Sequence, residues 1–379
     1  DWWGMGSALT NREHDFDLEQ IMEVGATTVR FAHYQQSDYI YSRCDTLGLI
    51  IWAEIPFVNR VTGQEWDNVH QQMRELIRQS FNHPSIYVWG IHNEVYHPHG
   101  YTAALTQSVH DLCKLEDPDR YTVAVNGYGH AEHPVNGNTD IQGMNRYFGW
   151  YEKKIQDIKP WIEKMAKEYP WQRLMLTEYG ADANIEHQTE LLGDALNWGS
   201  DFYPETFQTK THEYQWGVIS QHPYILASYL WNMFDFAVPQ WKRGCVDARN
   251  MKGLITFDRK IRKDAFYWYK ANWSKEPVLY LTQRRNTERE RRETSVTVYS
   301  NLGTPRVFLN GRELDGVRKG YTDVHYIFDQ VTLAEERNVL RAVIVSDGKE
   351  YTDEIVWNYN GEHVRQADAY EHKKEHAGW

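Results

Sequence analysis

The sequence runs to 379 residues, 41% hydrophobic and 25% charged, with a net charge of −12. That length exceeds what a single core usually serves, so two domains are expected. The acidic balance excludes a phosphate backbone as partner, since nucleic-acid binding needs concentrated Lys and Arg.

The first two thirds alternate apolar runs with helical periods. Thr10 and Glu13 have the spacing of a capping box, and Leu18, Ile21 and Met22 follow at helical spacing up to Gly25. Residues 27–31 read as a buried strand, 37–47 as a helix closed by Gly48, and 49–54 as the next strand. Val69, Met73, Leu76, Ile77 and Phe81 mark a helix. The alternation goes on with strands starting near residues 86, 121, 141, 174 and 225, and with helices around 105–112, 155–166, 206–220 and 263–273. Strands alternating with helices imply an α/β fold with a parallel sheet buried on both faces. Seven strands are counted where a (β/α)8 TIM barrel needs eight. Because Asp1-Trp2-Trp3-Gly4 reads as a loop entering a helix, the first barrel strand is expected upstream.

After Lys275-Glu276-Pro277 the helical period stops. Strand-like runs at 278–281, 295–299, 306–309, 339–345 and 354–357, with hairpin turns at Asn310-Gly311 and Asp347-Gly348, predict a small β-sandwich. The expected domains are a barrel over 1–275, a sandwich over 276–360 and a loose tail over 361–379. The Arg-rich stretch 284–292, interleaved with Glu288 and Glu290, reads as a solvated loop. No run reaches the roughly 18 apolar residues of a membrane span. Cys44, Cys113 and Cys245 give neither a disulfide framework nor a metal-ligand spacing, so no metal and no cofactor is expected. The aromatic share of 14%, with 16 Trp and 25 Tyr, suits either a large core or the CH-rich faces of sugars.

Barrel active sites form at the C-terminal ends of the strands. The residues there are His33-Tyr34, Glu54, His92-Asn93-Glu94, Asn126, Asn145-Arg146-Tyr147, Glu178-Tyr179 and Trp231-Asn232, all polar or aromatic. Two of them, Glu94 and Glu178, end separate strands. Retaining glycosidases use two carboxyl groups about 5–5.5 Å apart, one as acid and one as nucleophile, and strand ends on one barrel face can supply that spacing. A charged strand end bound to a neighbouring loop is the plain alternative for either Glu alone.

The segments Val29–Tyr34, His92-Asn93-Glu94, Asn145–Tyr151, Thr177–Ala181 and Trp231–Phe236 resemble glycoside hydrolase family 2. That family holds β-galactosidases, β-glucuronidases and β-mannosidases. The resemblance runs from Asp1 to about Trp273 and implies an immunoglobulin-like module after it. It implies that Glu94 is the acid/base and Glu178 the nucleophile, that Asn93 holds the sugar 2-hydroxyl, that His33 binds a hydroxyl, and that Trp231 is a stacking platform. Asn145, Tyr147, Tyr151 and Tyr179 join them as candidate substrate contacts. Family members carry a jelly-roll and a further sandwich domain before the barrel, so these are expected as N-terminal partners of this stretch. The compartment, bacterial periplasm or cytoplasm, is left open.

Asn250-Met251-Lys252 resembles the Asn-x-Lys segment with which family glucuronidases hold a C6 carboxylate. An ammonium and an amide suit that group. The Asn145–Tyr151 segment points the same way, whereas Trp231–Phe236 resembles the galactosidase branch. The reading from sequence puts a terminal β-D-galactoside slightly ahead of a β-glucuronide. It takes a loop lysine paired with Asp247 or Asp258 as the plain alternative for Lys252. A non-catalytic carbohydrate-binding scaffold is the remaining possibility.

Overall fold

The structure, a computed structural model, describes residues 1–95, 99–127 and 131–361, so most of the expected tail lies outside it. The capping box forms. Thr10 accepts from the Arg12 N–H and Glu13 accepts from the Thr10 N–H, which starts α1 (Asn11–Glu23). Seven strands then lie parallel in one sheet in chain order: β1 (Thr28–Phe31), β2 (Ile50–Glu54), β3 (Ile86–Asn93), β4 (Tyr121–Asn126), β5 (Ile141–Asn145), β6 (Leu174–Glu178) and β7 (Ile225–Ser228). The connecting helices are α2 (Asp38–Leu47), α3 (Trp66–Ser80), α4 (Gly100–Glu116), the short α5 (Pro134–Gly137), α6 (Ile158–Glu168) and α7 (Glu205–Ile219).

The sheet curls, as expected for a barrel. Val88, Val123, Val125, Ile141 and Met175 fill its interior, and Ile51, Ala53, Trp89 and Ile91 face the helices. β1 and β7 do not pair with each other. Between them runs a cavity of about 550 Å³ with Val29, Phe31, Leu230, Met233 and Trp273 among its lining residues. This seam is where an eighth strand would close the barrel. It is crossed by a hydroxyl pair, Thr28 Oγ1 to Tyr229 Oη at 3.1 Å.

After β7 comes a hairpin absent from the sequence reading, β8 (Phe236–Arg243) and β9 (Val246–Asn250), and then α8 (Asp264–Trp273). The all-β part forms two four-stranded antiparallel sheets. One holds β10 (Leu279–Leu281), β11 (Glu293–Ser300), β14 (Val317–Lys319) and β15 (His325–Thr332). The other holds β12 (Arg306–Leu309), β13 (Arg312–Glu313), β16 (Glu336–Ser346) and β17 (Lys349–Tyr359). Val296, Val298, Phe328, Leu340 and Trp357 lie in the shared core. Asn310-Gly311 and Asp347-Gly348 all have positive φ, as the expected hairpin turns require.

The Arg-rich stretch 284–292 is a solvated loop only in part: Arg291 and Arg292 are exposed, but Arg289 and Glu290 are buried. Arg285 pairs with Glu205 and, at 3.2 Å, with Asp264, while the fully buried Arg289 pairs with Glu190 and lies 3.8 Å over the Trp357 ring. Arg285 and Arg289 are thus matched by barrel carboxylates distant in sequence, and Arg284 by Asp353 of β17, which a local reading of charge pattern does not reveal.

Candidate active site

Both carboxylates stand just past a slip in strand register. Against β4, Gly90 pairs with Val123 but His92 with Ala124, so β3 carries one extra residue before Asn93-Glu94. Against β5, Leu176 pairs with Met144 but Glu178 with Asn145, so β6 carries one extra residue before Glu178. Such bulges re-aim the side chains that follow them. Glu94 also adopts a left-handed backbone, φ 49°. Its carboxyl occupies room left by Gly127, where a Cβ would come within 2.7 Å of Glu94 Cδ.

The polar groups form one connected network. Asn145 Nδ2 donates to Glu94 Oε1 at 2.8 Å and to Asn93 Oδ1 at 3.2 Å, while its own Oδ1 accepts from Thr177 Oγ1 at 2.7 Å. Asn145 therefore braces Glu94 from within the protein. Glu178 accepts from Tyr147 Oη at 2.6 Å and from Arg30 Nη1 at 3.0 Å. Asn93 Oδ1 also accepts from Arg30 Nη2 at 2.9 Å, so the carbonyl end of its amide is held within the protein. Burial, with the charge of Glu178 adding to it, raises the pKa of Glu94 above the ordinary carboxylate value, the direction that proton donation favours. Burial and the same charge push the Tyr147 phenol well up, so it stays a donor.

Arg30, which the sequence reading quoted within Val29–Tyr34 without singling it out, is the hub of this network. It sits inside an apolar strand with its side chain 2% exposed, its guanidinium 4.7 Å over the Trp52 ring, and it links Glu54, Asn93 and Glu178. β1 is only half-buried, not the buried strand expected, yet a charge within its apolar run is itself the signal, because burying that side chain without partners would be prohibitive.

His33 and Trp231 stand on the two rims of the seam, stacked at 5.4 Å and 15°, with Phe236 edge-on to Trp231 at 6.0 Å. Tyr179, placed among the substrate contacts from sequence, is elsewhere. It is fully buried in the outer core beside His212 and accepts from Tyr269 Oη at 3.2 Å. Side chains alternate along a strand, so an inward Glu178 sends Tyr179 outward toward α7 and α8.

Lys252 pairs with neither Asp247 nor Asp258. Its Nζ donates to Asp182, four residues past Glu178, and to Tyr151 Oη at 3.0 Å, inside a cage of Tyr147, Trp150, Tyr151 and Trp241 rings. Burial alone would lower its pKa, but Asp182 outweighs this and raises it, so the ammonium persists. Asn250 Oδ1 accepts from the Lys252 N–H at 3.0 Å and fixes the local turn. The missed hairpin supplies Trp241 to this cage. It also holds Arg243 between Trp241 and Trp198, at 3.9 and 4.8 Å from the ring centroids.

Residues 4–276 match the family model described as glycosyl hydrolases family 2, TIM barrel domain. A β-glucuronidase of Bacteroides fragilis is 35% identical over 369 residues, covering 94% of this chain and 52% of that protein. The crystal structure of a Bacteroides fragilis protein provisionally named a β-galactosidase is 77% identical with a TM-score of 0.96, over 97% of this chain and 55% of that one. Bacteroides uniformis β-glucuronidase 2, covalently bound to cyclophellitol-6-carboxylate aziridine, is 29% identical with a TM-score of 0.81, over 95% of this chain and 45% of that one. The chain thus spans about half the length of these relatives. On the match over residues 4–276, it belongs to glycoside hydrolase family 2.

Proposed function

We propose that this chain carries the catalytic site of a retaining exo-β-glycosidase acting on terminal β-D-glucuronides. Glu178 attacks the anomeric carbon while Glu94 gives its proton to the leaving oxygen, forming a glycosyl–enzyme ester. Glu94 then takes a proton from water, the resulting hydroxide displaces Glu178, and the sugar leaves with β configuration. Asn93 offers its NH2 to the 2-hydroxyl, and Trp231 with His33 walls the ring. The two sheets after the barrel fit the immunoglobulin-like module expected from sequence.

The observation that carries the glucuronide reading is the Lys252 cage. A buried ammonium adjoins Tyr147, the residue that holds the nucleophile, and suits an anionic C6 group better than a neutral hydroxyl. The curated Bacteroides fragilis relative is a β-glucuronidase, and the Bacteroides uniformis one carries a 6-carboxylate inhibitor covalently. The galactoside reading rests on the 77% identical structure with its provisional β-galactosidase name.

Full-length protein assayed on aryl β-glucuronide and aryl β-galactoside separates the readings. A charge-assisted contact is worth on the order of 1.5–3 kcal/mol, so Lys252→Ala should lower kcat/KM for the glucuronide roughly ten- to a hundred-fold. Preference for galactoside, with little effect of Lys252→Ala, would overturn the glucuronide assignment. Turnover of neither would leave a binding scaffold.

A further inference from the structure

The double displacement needs two carboxylates, yet a third, Glu54, is built into the same cluster. It ends β2 and is 2% exposed. Gly90 lies directly opposite it in register, and a Cβ there would come within 2.4 Å of Glu54 Cβ, so this strand pair is shaped around the Glu54 side chain.

Glu54 accepts from Arg30 Nε at 2.9 Å and from Arg30 Nη2 at 3.1 Å, which fixes the guanidinium along one edge. The opposite nitrogen, Nη1, is thereby aimed at Glu178. His33 Nδ1 lies 2.7 Å from Glu54 Oε1 and 3.3 Å from Arg30 Nη2. A guanidinium has no acceptor, and an ionised carboxylate has no donor. Burial works to raise the Glu54 pKa, but Arg30 and His33 outweigh it and keep Glu54 ionised. The His33 proton on this side must therefore sit on Nδ1 and be donated to Glu54. His33 Nε2, on the far side of the ring, is thereby turned toward Glu178 Oε1, 4.0 Å away. Glu94 and Tyr147 face the cluster from β3 and from the segment after β5. His92 lies buried near Glu54, its pKa lowered to about 4 by burial.

We propose that Glu54 is a positioning residue of this glycosidase site, which aims Arg30 at the nucleophile and holds the His33 ring with Nε2 turned to where a substrate hydroxyl would lie. The proposal rests on the reading of Glu178 as nucleophile. Glu54 touches no substrate atom and acts only through Arg30 and His33. Its removal therefore overlaps with theirs instead of adding to it.

A double-mutant cycle on the full-length enzyme tests this, with an activated aryl β-glucuronide and, in parallel, a 2-deoxy-2-fluoro glycoside that traps the covalent intermediate. Glu54→Gln and His33→Ala should each lower kcat/KM roughly ten- to a hundred-fold. The double variant should fall within about threefold of the worse single one, since groups acting as a unit are not additive. Glu54→Asp, which keeps the charge, should recover at least tenfold over Glu54→Gln. Losses that multiply in the double variant, or no recovery in Glu54→Asp, overturn the proposal. If Glu54→Gln does not fold, the same cycle is run with Glu54→Asp, and multiplying losses again overturn it. Peptide mass spectrometry of the trapped enzyme keeps the two readings apart. A label missing from Glu178 removes the nucleophile assignment, whereas a label on Glu178 with multiplying losses removes Glu54 alone.

Discussion

Lys252 and Asp182 meet ammonium to carboxylate just past β6, each side chain 1% exposed, although 70 positions separate them in the chain. Asp182 also accepts from the Met251 N–H at 2.7 Å, so one carboxylate orders both the charge and the backbone that carries it.

Removing one partner of such a buried pair strands the other. Asp182→Asn should destabilise the protein by about 3–5 kcal/mol, because the Lys252 ammonium would keep its burial and lose its counter-charge. Urea unfolding measures this. A loss below about 1 kcal/mol would mean that water reaches Lys252.

Glu94→Ala should slow glycosides with poor leaving groups far more than activated aryl substrates, since only the former need a delivered proton. Azide should restore turnover of the activated substrates and give a β-glycosyl azide. The alkaline limb of the pH profile, which reports loss of the Glu94 proton, should flatten. Equal losses on both substrate types would count against Glu94 as the acid.

Tyr147→Phe removes a 2.6 Å donor from Glu178 while leaving the ring in the Lys252 cage. A hydrogen bond to a charged group is worth on the order of 1.5–3 kcal/mol. The variant should therefore lose roughly ten- to a hundred-fold in kcat with KM little changed, and steady-state kinetics with an intact thermal melt would show it. An increase confined to KM would place Tyr147 on the substrate and not on the nucleophile.

Glu213 of α7 is enclosed where the barrel meets the second sheet pair, accepting from Tyr299 Oη with His325 Nε2 3.6 Å away. Burial raises its pKa to about 7, against the lowering effect of Tyr299. A carboxyl raised in the folded state binds more protons there than in the unfolded chain, so its contribution to stability falls as pH climbs from the usual carboxylate value through about 7. Glu213→Gln should be more stable than the parent at pH 8, with the gap closing toward pH 5. Melts at both pH values check the sign, and a pH-independent gap would contradict it.

Much of this was legible from sequence because barrel strands are continuous apolar runs and their last residues are the ones that face the substrate. The places of Glu94, just past β3, and Glu178, at the end of β6, were read in that way. The hairpin of β8 and β9 was not. It is half exposed, carries Lys242, Arg243, Asp247 and Arg249, and has Pro239 in its middle, so it has no apolar period to read. Strand β15 hid for a related reason, since His325, Asp329 and Gln330 break its apolar alternation. The bulges before the two glutamates could not be read at all, because a register slip is a property of two strands together. The misplacement of Tyr179 follows from the same limit. Its facing is fixed only once that of Glu178 is known.

The two carboxylates are each held by side chains that their own strands do not carry. Glu94 follows β3, yet its partner Asn145 ends β5. Glu178 ends β6, yet it is held by Arg30 of β1 and by Tyr147, which follows β5. A one-residue slip of β1 or β5 would therefore disarm a carboxylate that neither strand contains, while leaving the strand that does contain it in place.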